Sequence, residues 1–125
     1  MMAEAKERRV RTGLADRDLY GGLIRLHVLH HAAQGPIFGM EMIEELGRHG
    51  YRLSPGTLYP LLHDLQRKGH LVATEQREGS RVRKFYRATP QGVDALAAAK
   101  LQVRELFGEL FEDDGAPVQS DRPQR

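Results

Sequence analysis

The run Leu53-Ser54-Pro55-Gly56-Thr57-Leu58-Tyr59-Pro60-Leu61-Leu62 decides the fold, because it starts a short helix that is apolar on one side and polar on the other. Ser54 followed by Pro55 is the pattern of an N-cap with proline at the first helical position, and Gly69 ends the helix. The apolar side consists of Leu58, Leu61, Leu62 and Leu65, and the polar side of Gly56, Tyr59, His63 and Arg67. Pro60 lies about one turn inside, where proline costs a helix about 3 kcal/mol. The sequence therefore predicts either a distorted first turn or regular helix that begins nearer Leu58.

Two further helices are predicted upstream of this run. The first extends from about Arg17 to Ala33 with Asp16 as its N-cap, and its wide apolar stripe predicts burial on more than one side. This stripe consists of Leu19, Leu23, Leu26 and Ala33, widened by Ile24, Val28 and Ala32. Gln34-Gly35-Pro36 ends the first helix, and a second covers about Phe38 to His49. Its inward face is expected to consist of Met40, Ile43 and Leu46.

A basic β-hairpin is predicted downstream. Leu71–Gln76 and Arg81–Ala88 read as strands, and the four residues between them contain a glycine, as hairpin loops often do. Alternation places Arg81, Arg83, Phe85 and Arg87 on one face and Val82, Lys84, Tyr86 and Ala88 on the other. Basic residues outnumber acidic ones between Leu71 and Ala88, which makes the hairpin a candidate contact surface for a polyanion. On charge alone, a solvated arginine-rich hairpin is an equally good interpretation.

Thr89-Pro90 repeats the signal of an N-cap followed by proline and begins a long helix that extends to about Glu112. Leu96, Ala99, Val103, Leu106 and Leu110 are separated alternately by three and four residues, the pattern of a seam between two helices. One short domain cannot cover a helix of about 34 Å, so we expect a second copy of the chain to cover it. The expected homodimer interface consists of Leu19, Leu23, Leu96, Ala99, Val103, Leu106, Phe107 and Leu110.

Length and composition restrict the protein to a single domain with arms. The chain has 125 residues, 29% of them charged, and a net charge of +2. The absence of cysteine excludes disulfides, thiol catalysis and cysteine-based zinc sites. No apolar run is long enough to span a membrane and the N-terminus is not a secretory signal, so a cytoplasmic location is expected. No catalytic triad, phosphate-binding loop or carboxylate pair stands out, and neither an enzyme nor a cofactor is predicted.

The order of these elements is that of a winged helix-turn-helix. The predicted fold class is mostly α with a small β-hairpin (α+β), a winged helix-turn-helix followed by a long C-terminal dimerisation helix. The third helix fits a major groove about 12 Å wide, and a basic hairpin beside it releases counterions from phosphates. We divide the chain into a flexible arm (1–14), a DNA-binding domain (15–89), the dimerisation helix (90–113) and an irregular tail (114–125).

Three segments resemble the PadR family of bacterial transcriptional regulators: Gly35 to Met42 (GPIFGMEM), Leu53 to Leu62 (LSPGTLYPLL) and Arg83 to Thr89 (RKFYRAT). The family pattern is approximately GPxYGYEL, LSxGTLYPxLxxLExxG and RKYYxLTxxG, and the resemblance covers about residues 19–110 in the same order. It accounts for Pro60, since the family carries proline there, and the single long C-terminal helix is similar to that of the shorter members. The sequence departs from the pattern at Phe38, Met40, Asp64, Gln66, Phe85 and Ala88.

The resemblance implies a homodimeric repressor that binds double-stranded DNA and responds to a small aromatic or drug-like effector near the dimer interface. The chain has no tryptophan to stack on such an effector, so tyrosine and phenylalanine would have to do so. The residues implied to contact DNA are Ser54, Thr57, Tyr59, Pro60, Arg81, Arg83, Lys84 and Tyr86. For some of these, other roles stay open: Ser54 is first an N-cap, and Tyr59 could simply pack the third helix. Arg81 lies outside the matched segment.

His27, His30 and His31 form an HxxHH cluster on the first helix. Spacings of three or four residues can place two imidazoles on one face, where a metal ion would bind them. No carboxylate or cysteine completes a site within that helix, so packed or surface histidines are the preferred interpretation and no metal site is predicted.

Two other functions compete with DNA-binding regulation. In the first, a winged-helix module binds another protein through its long helix while the wing is solvated. In the second, the protein is a structural or ligand-carrying dimer, against which the basic wing argues. Salt-dependent binding to duplex DNA distinguishes a regulator from both.

Overall fold

The computed structural model describes residues 17–112, which form four helices and one sheet. The elements are α1 (Arg17–Gln34), β1 (Ile37–Phe38), α2 (Gly39–Arg48), α3 (Pro55–Arg67), β2 (Leu71–Glu78), β3 (Arg81–Ala88) and α4 (Pro90–Glu112). The three strands are antiparallel in the order β1-β3-β2. This α+β winged helix-turn-helix confirms the predicted fold class. The predicted N-terminal arm, the Asp16 cap and the C-terminal tail lie outside the described residues.

The sheet differs from the predicted hairpin in two ways. The prediction omitted β1, whose Ile37 and Phe38 pair with Tyr86 and Phe85 of β3, because two residues are too few to show alternation. The hairpin loop is also shorter than predicted, since β2 continues to Glu78 and only Gly79-Ser80 form the turn. Gly79 has a φ of +64°, which glycine adopts without steric cost.

The core lies between α1, α2, α3 and the inner face of the sheet. On α1 the buried residues are Ile24, Val28, Leu29 and Ala32. Leu19 and Leu23, expected in the principal stripe, are 66% and 44% exposed. The apolar surface of α1 is therefore wide, as predicted, but its Leu19 side does not face the core of this chain.

On α2 the prediction chose the wrong methionine. Met42 is buried, whereas Met40 is 61% exposed. Gly39 at the first position of α2 lies under the ring of Tyr59, and this contact places residues three and seven positions later, Met42 and Leu46, on the inner face. Met40 is one residue further along the helix than Gly39, about 100° around its axis, and points outward.

Helix α3 runs through Pro60 without interruption. The backbone carbonyl of Ser54 accepts hydrogen bonds from the N–H groups of Thr57 and Leu58, both at 3.0 Å, so regular helix begins at Pro55 and not near Leu58. Ser54 occupies the N-cap position, but its side chain makes no capping hydrogen bond. Pro60 leaves the carbonyl of Gly56 without a helical donor, and Gly56 is exposed to solvent.

The start of α4 is fixed to the end of α3. Thr89 Oγ1 accepts a hydrogen bond from the N–H of Gly92 at 2.9 Å and donates one to the carbonyl of Gly69 at 2.6 Å, which confirms Thr89 as the N-cap. The first part of α4 packs against α1 through Leu96. Beyond that contact the helix extends away from the core, and in α4 only Gly92 and Gly108 are buried.

Candidate nucleic-acid interface

The outward face of α3 carries small and polar side chains. Four of its exposed positions recur every three or four residues, which places them in one row along the helix: Gly56, Pro60, His63 and Arg67. Pro55 and Gln66 are exposed beside this row. Ser54 is exposed at the start of the helix, next to this row. Thr57 is half-buried and lines a cleft beside α1 that also includes Asp18 and Arg25. Ser54 and Pro60 are therefore accessible, whereas Thr57 lies at the edge of the accessible face.

Tyr59 lies between α3 and the first turn of α2. Its ring is half-buried and covers Gly39 so closely that a Cβ atom there would overlap the ring. Tyr59 therefore packs the two helices of the helix-turn-helix against each other, the alternative role considered from the sequence. Since its side chain is only partly buried, this packing leaves part of Tyr59 accessible.

Tyr86 is not available to DNA. Its side chain is 0% exposed, and its hydroxyl group has no hydrogen-bond partner within residues 17–112. Burial, followed by the nearby Tyr59, raises the pKa of the Tyr86 hydroxyl. The expectation that Tyr86 contacts DNA is therefore wrong: strand alternation was predicted correctly, but Tyr86 lies on the side of β3 that meets the core.

Arg83 and Lys84 extend from opposite faces of β3. The guanidinium of Arg83 lies 3.7 Å from the ring centroid of Phe38, and its Nη2 is 3.2 Å from a carboxylate oxygen of Glu41. Arg83 thus joins the wing to α2. Lys84 is exposed and lies opposite Glu75 in the strand pair, and Arg81 is exposed beside the turn.

Two further groups of cations border α3. Asp64 is paired with Lys68, Arg67 and Arg25, and hydrogen bonding to Lys68 is the largest influence that lowers the pKa of this carboxyl. At the other end of α3, Arg52 is exposed three residues before Pro55, where the helix begins. Arg52 is not among the DNA contacts predicted from the sequence. Its position just upstream of a predicted recognition helix was the available signal.

The expected dimer residues form an accessible strip, with two exceptions. The exposed members are Leu19, Leu23, Val103, Leu106, Phe107 and Leu110. Leu96 packs against the core of its own chain and Ala99 is half-buried. A cleft of about 530 Å³ lies between α1 and α4, and Leu23, Val103 and Phe107 of the exposed strip form part of its wall. It is lined by Leu23, Leu26, His27, His30, Leu96, Lys100, Val103, Arg104 and Phe107.

The histidines of α1 have neighbours that the sequence did not place. His27 and His31 meet His49, which follows α2, and their candidate ligand atoms lie within 4.8 Å of one another. The Oε2 atom of Glu45 is 3.4 Å from His31 Nε2 and 3.0 Å from His49 Nε2. Burial, followed by the imidazoles of His49, His31 and His30, lowers the pKa of His27. The sequence shows no carboxylate near these histidines within α1, and the structure brings Glu45 of α2 next to His31 and His49.

Comparison with known proteins identifies the family. The family model described as "Transcriptional regulator PadR-like family" matches residues 28–98, which contain α2, α3 and the wing. The chain belongs to the PadR-like family. It is 46% identical to transcriptional regulator Rv3488 of Mycobacterium tuberculosis over 95 residues, 76% of this chain and 89% of the relative. The family resemblance stated from three sequence segments is thereby confirmed.

Solved PadR structures have the same fold. A PadR family transcriptional regulator from Eggerthella lenta DSM 2243 matches with a TM-score of 0.71 and 27% identity, over 90% of this chain and 96% of that chain. A PadR-like transcriptional regulator from Bacillus cereus strain ATCC 14579 matches in fold with a TM-score of 0.66 and 24% identity, over 77% of this chain and 94% of that one. This PadR-like protein is thus a DNA-binding transcriptional regulator and not an enzyme. Within residues 17–112, no helix has both the length and the apolar character that crossing a membrane requires.

Proposed function

We propose that this protein is a homodimeric repressor that reads an inverted-repeat operator and is released by a small effector. The observation that carries the proposal is the exposed apolar strip along α4 and the start of α1. Leu106, Phe107 and Leu110 are each about half exposed or more, on a helix whose outer turns lie beyond the core. Several exposed apolar side chains on one helix are typical of a protein interface. A second α4 related by two-fold symmetry would cover both strips at once.

DNA reading is assigned to α3 and the wing. The exposed row on α3 begins with small side chains, which allow close approach to base edges. His63 is the polar side chain of this row in the middle of the helix. Lys84, Arg81 and Arg52 are exposed cations on either side of that row and are assigned to phosphates. Ser54, Thr57 and Pro60 remain proposed contacts at the start of α3. A two-fold dimer would place two such helices on half-sites about 34–36 Å apart.

The effector is assigned to the cleft between α1 and α4. Its walls are mainly leucine, valine and phenylalanine, and Lys100 and Arg104 add positive charge. This lining suits an apolar or aromatic molecule that carries an acidic group. Because the cleft adjoins the proposed dimer strip, a bound molecule would change how the two α4 helices pack and hence the separation of the two recognition helices.

The decisive experiment selects DNA from a random duplex pool and measures affinity for the winning sequence, its half-site and a scrambled duplex at several salt concentrations. We expect an inverted repeat, a clear preference over the scrambled duplex and an affinity that falls steeply as salt rises. Lys84→Ala should reduce the salt slope by about one unit while leaving stability unchanged. Recovery of a single asymmetric half-site, or affinity independent of salt, would contradict the proposal.

A further inference from the structure

We infer that His27, His31, His49 and Glu45 form a binding site for one divalent transition-metal ion of the zinc class. These residues come from two helices: His27 and His31 lie one turn apart on α1, Glu45 lies in the last turns of α2, and His49 directly follows α2. The site is separate from the wing and from the outward face of α3. Whether these residues bind a metal ion can therefore be tested separately from the proposed DNA contacts.

The distances suit a small ion after minor side-chain rotation. The candidate ligand nitrogens of the three histidines lie within 4.8 Å of one another, and the rings of His27 and His49 have centroids 4.8 Å apart. Zinc binds imidazole nitrogen at about 2.0–2.1 Å, so tetrahedral ligand atoms are about 3.4 Å apart. Glu45 Oε2 is already 3.4 Å from His31 Nε2. The three imidazoles are therefore close enough to share one ion after side-chain rotation, and Glu45 joins them next to His31 and His49.

Glu45 is oriented for this role by its neighbour Arg48. The Nη2 atom of Arg48 donates a hydrogen bond to Glu45 Oε1 at 2.6 Å, while Oε2, the other oxygen, is directed at His31 and His49. Outer partners that hold ligands in place are a regular feature of metal sites. Tyr51 packs its ring against His27 with centroids 5.3 Å apart, which restricts the rotation of that imidazole.

The donor set determines the class of ion. Three imidazoles and a carboxylate suit zinc, cobalt, nickel or copper, whereas magnesium and calcium prefer oxygen donors. The site is also accessible, since the side chains of His31, Glu45 and His49 are 27%, 25% and 45% exposed. An ion can therefore enter from solvent and bind in the folded protein.

Metal binding would fasten α1 to α2, the first helix of the helix-turn-helix. Arg25 of α1 also forms a 4.0 Å ion pair with Asp64 of α3. Since an ion that binds only the folded state adds its binding free energy to stability, unfolding should occur at a higher temperature when zinc is present.

The test uses untagged full-length protein, cleared of metal with a chelator and then titrated with Co²⁺ followed by Zn²⁺. We expect visible absorption bands of low-symmetry Co²⁺ that saturate at one ion per protomer, displacement by Zn²⁺, and no displacement by a large excess of Mg²⁺ or Ca²⁺. His49→Ala and His31→Ala should each weaken binding by at least about 100-fold, since loss of even an outer partner costs 10–100-fold.

His30→Ala is the matched control. His30 lies next to His31 on the same helix and is exposed, but it is outside the cluster of three ligands. This variant should bind Co²⁺ as the wild type does and gain the same thermal stabilisation from Zn²⁺, whereas His49→Ala should gain none. Circular dichroism establishes that each variant is folded. Absence of saturable binding in the wild type, or equal binding by wild type and His49→Ala, would overturn the inference, and neither result bears on DNA binding.

Discussion

Gly92 lies where the first turn of α4 crosses the backbone of His70. Replacing a helical glycine with alanine usually stabilises a protein, but at this position the close contact makes the replacement destabilising. A Cβ atom at position 92 would overlap the carbonyl oxygen of His70, a backbone atom that cannot rotate away. We expect Gly92→Ala to lower the free energy of unfolding by about 1–3 kcal/mol, the usual cost of overpacking. Gly22→Ala on α1 is the control, because within residues 17–112 no atom beyond its chain neighbours and its own helix backbone lies within 4 Å of the added methyl group. It should stabilise by about 0.5–1 kcal/mol. Chemical denaturation measures both, and equal effects would contradict the contact.

Removing the hydroxyl oxygen of Tyr86 tests whether this residue packs in the core or binds DNA. Its hydroxyl is buried without a hydrogen-bond partner in the described part of the chain, so removing it breaks no hydrogen bond there. We expect Tyr86→Phe to leave DNA affinity unchanged and to keep or increase the free energy of unfolding, by up to about 1–3 kcal/mol. Denaturation and DNA titration of the same preparation provide both values. A loss of DNA affinity in a fully stable variant would show that the Tyr86 hydroxyl contributes to DNA binding.

Among the elements, the wing is bound to α2 by a contact that competes with DNA. Glu41 holds Arg83 through a pair at 3.2 Å that is partly exposed, so phosphate can replace it. Arg83 also lies 3.9 Å from Glu78, so Glu41→Gln removes the shorter of its two ion pairs. We expect this variant to strengthen binding to any duplex by a factor of about 2–5, in line with the small energies of exposed ion pairs. Glu44→Gln removes the same charge from α2 at an exposed position that does not pair with Arg83. Anisotropy titrations at several salt concentrations compare the two variants. Equal affinities of the two variants would show that releasing Arg83 from Glu41 adds no contact with DNA.

Element type was predictable from the sequence, but the pairing of elements was not. The proline and glycine signals at Pro55, Gly69 and Pro90 located α3 and the start of α4 correctly, because they act through local backbone geometry. The buried face of α1 and the partner of β1 depend on which elements meet in three dimensions. The same limit applied to the histidines: His27 and His31 were visible as a pair, but the approach of Glu45 and His49 depends on how α1 packs against α2. Arg83 was correctly placed on the wing, and its contact with Glu41 spans 42 residues of sequence.

At the scale of the whole molecule, the strip on α4 has the properties of a surface that a second copy covers. Its apolar side chains on α4 follow Leu96, the residue through which α4 packs against α1. The cleft between these two helices opens onto the strip. In a monomer these leucine and phenylalanine side chains would remain in water. Burial at about 25 cal/mol per Å² of apolar surface favours association as soon as a matching surface is available, and a copy of the same strip is such a surface.

Substitution within this strip tests dimerisation and operator reading together. Val103→Glu combined with Leu106→Glu would place carboxylates of both chains in an apolar seam, where their desolvation and mutual repulsion oppose association. We expect sedimentation to show a dimer for the wild type and a monomer of 14.1 kDa for the variant. Affinity for the full inverted repeat should fall to that for a half-site, because one recognition helix remains per molecule. Leu101→Glu is the control, since Leu101 is 66% exposed on α4 but lies off the seam, and it should stay dimeric. A wild-type protein that sediments as a monomer at micromolar concentration would remove both the dimer and the inverted repeat, because a single α3 has no symmetric partner to read a second half-site.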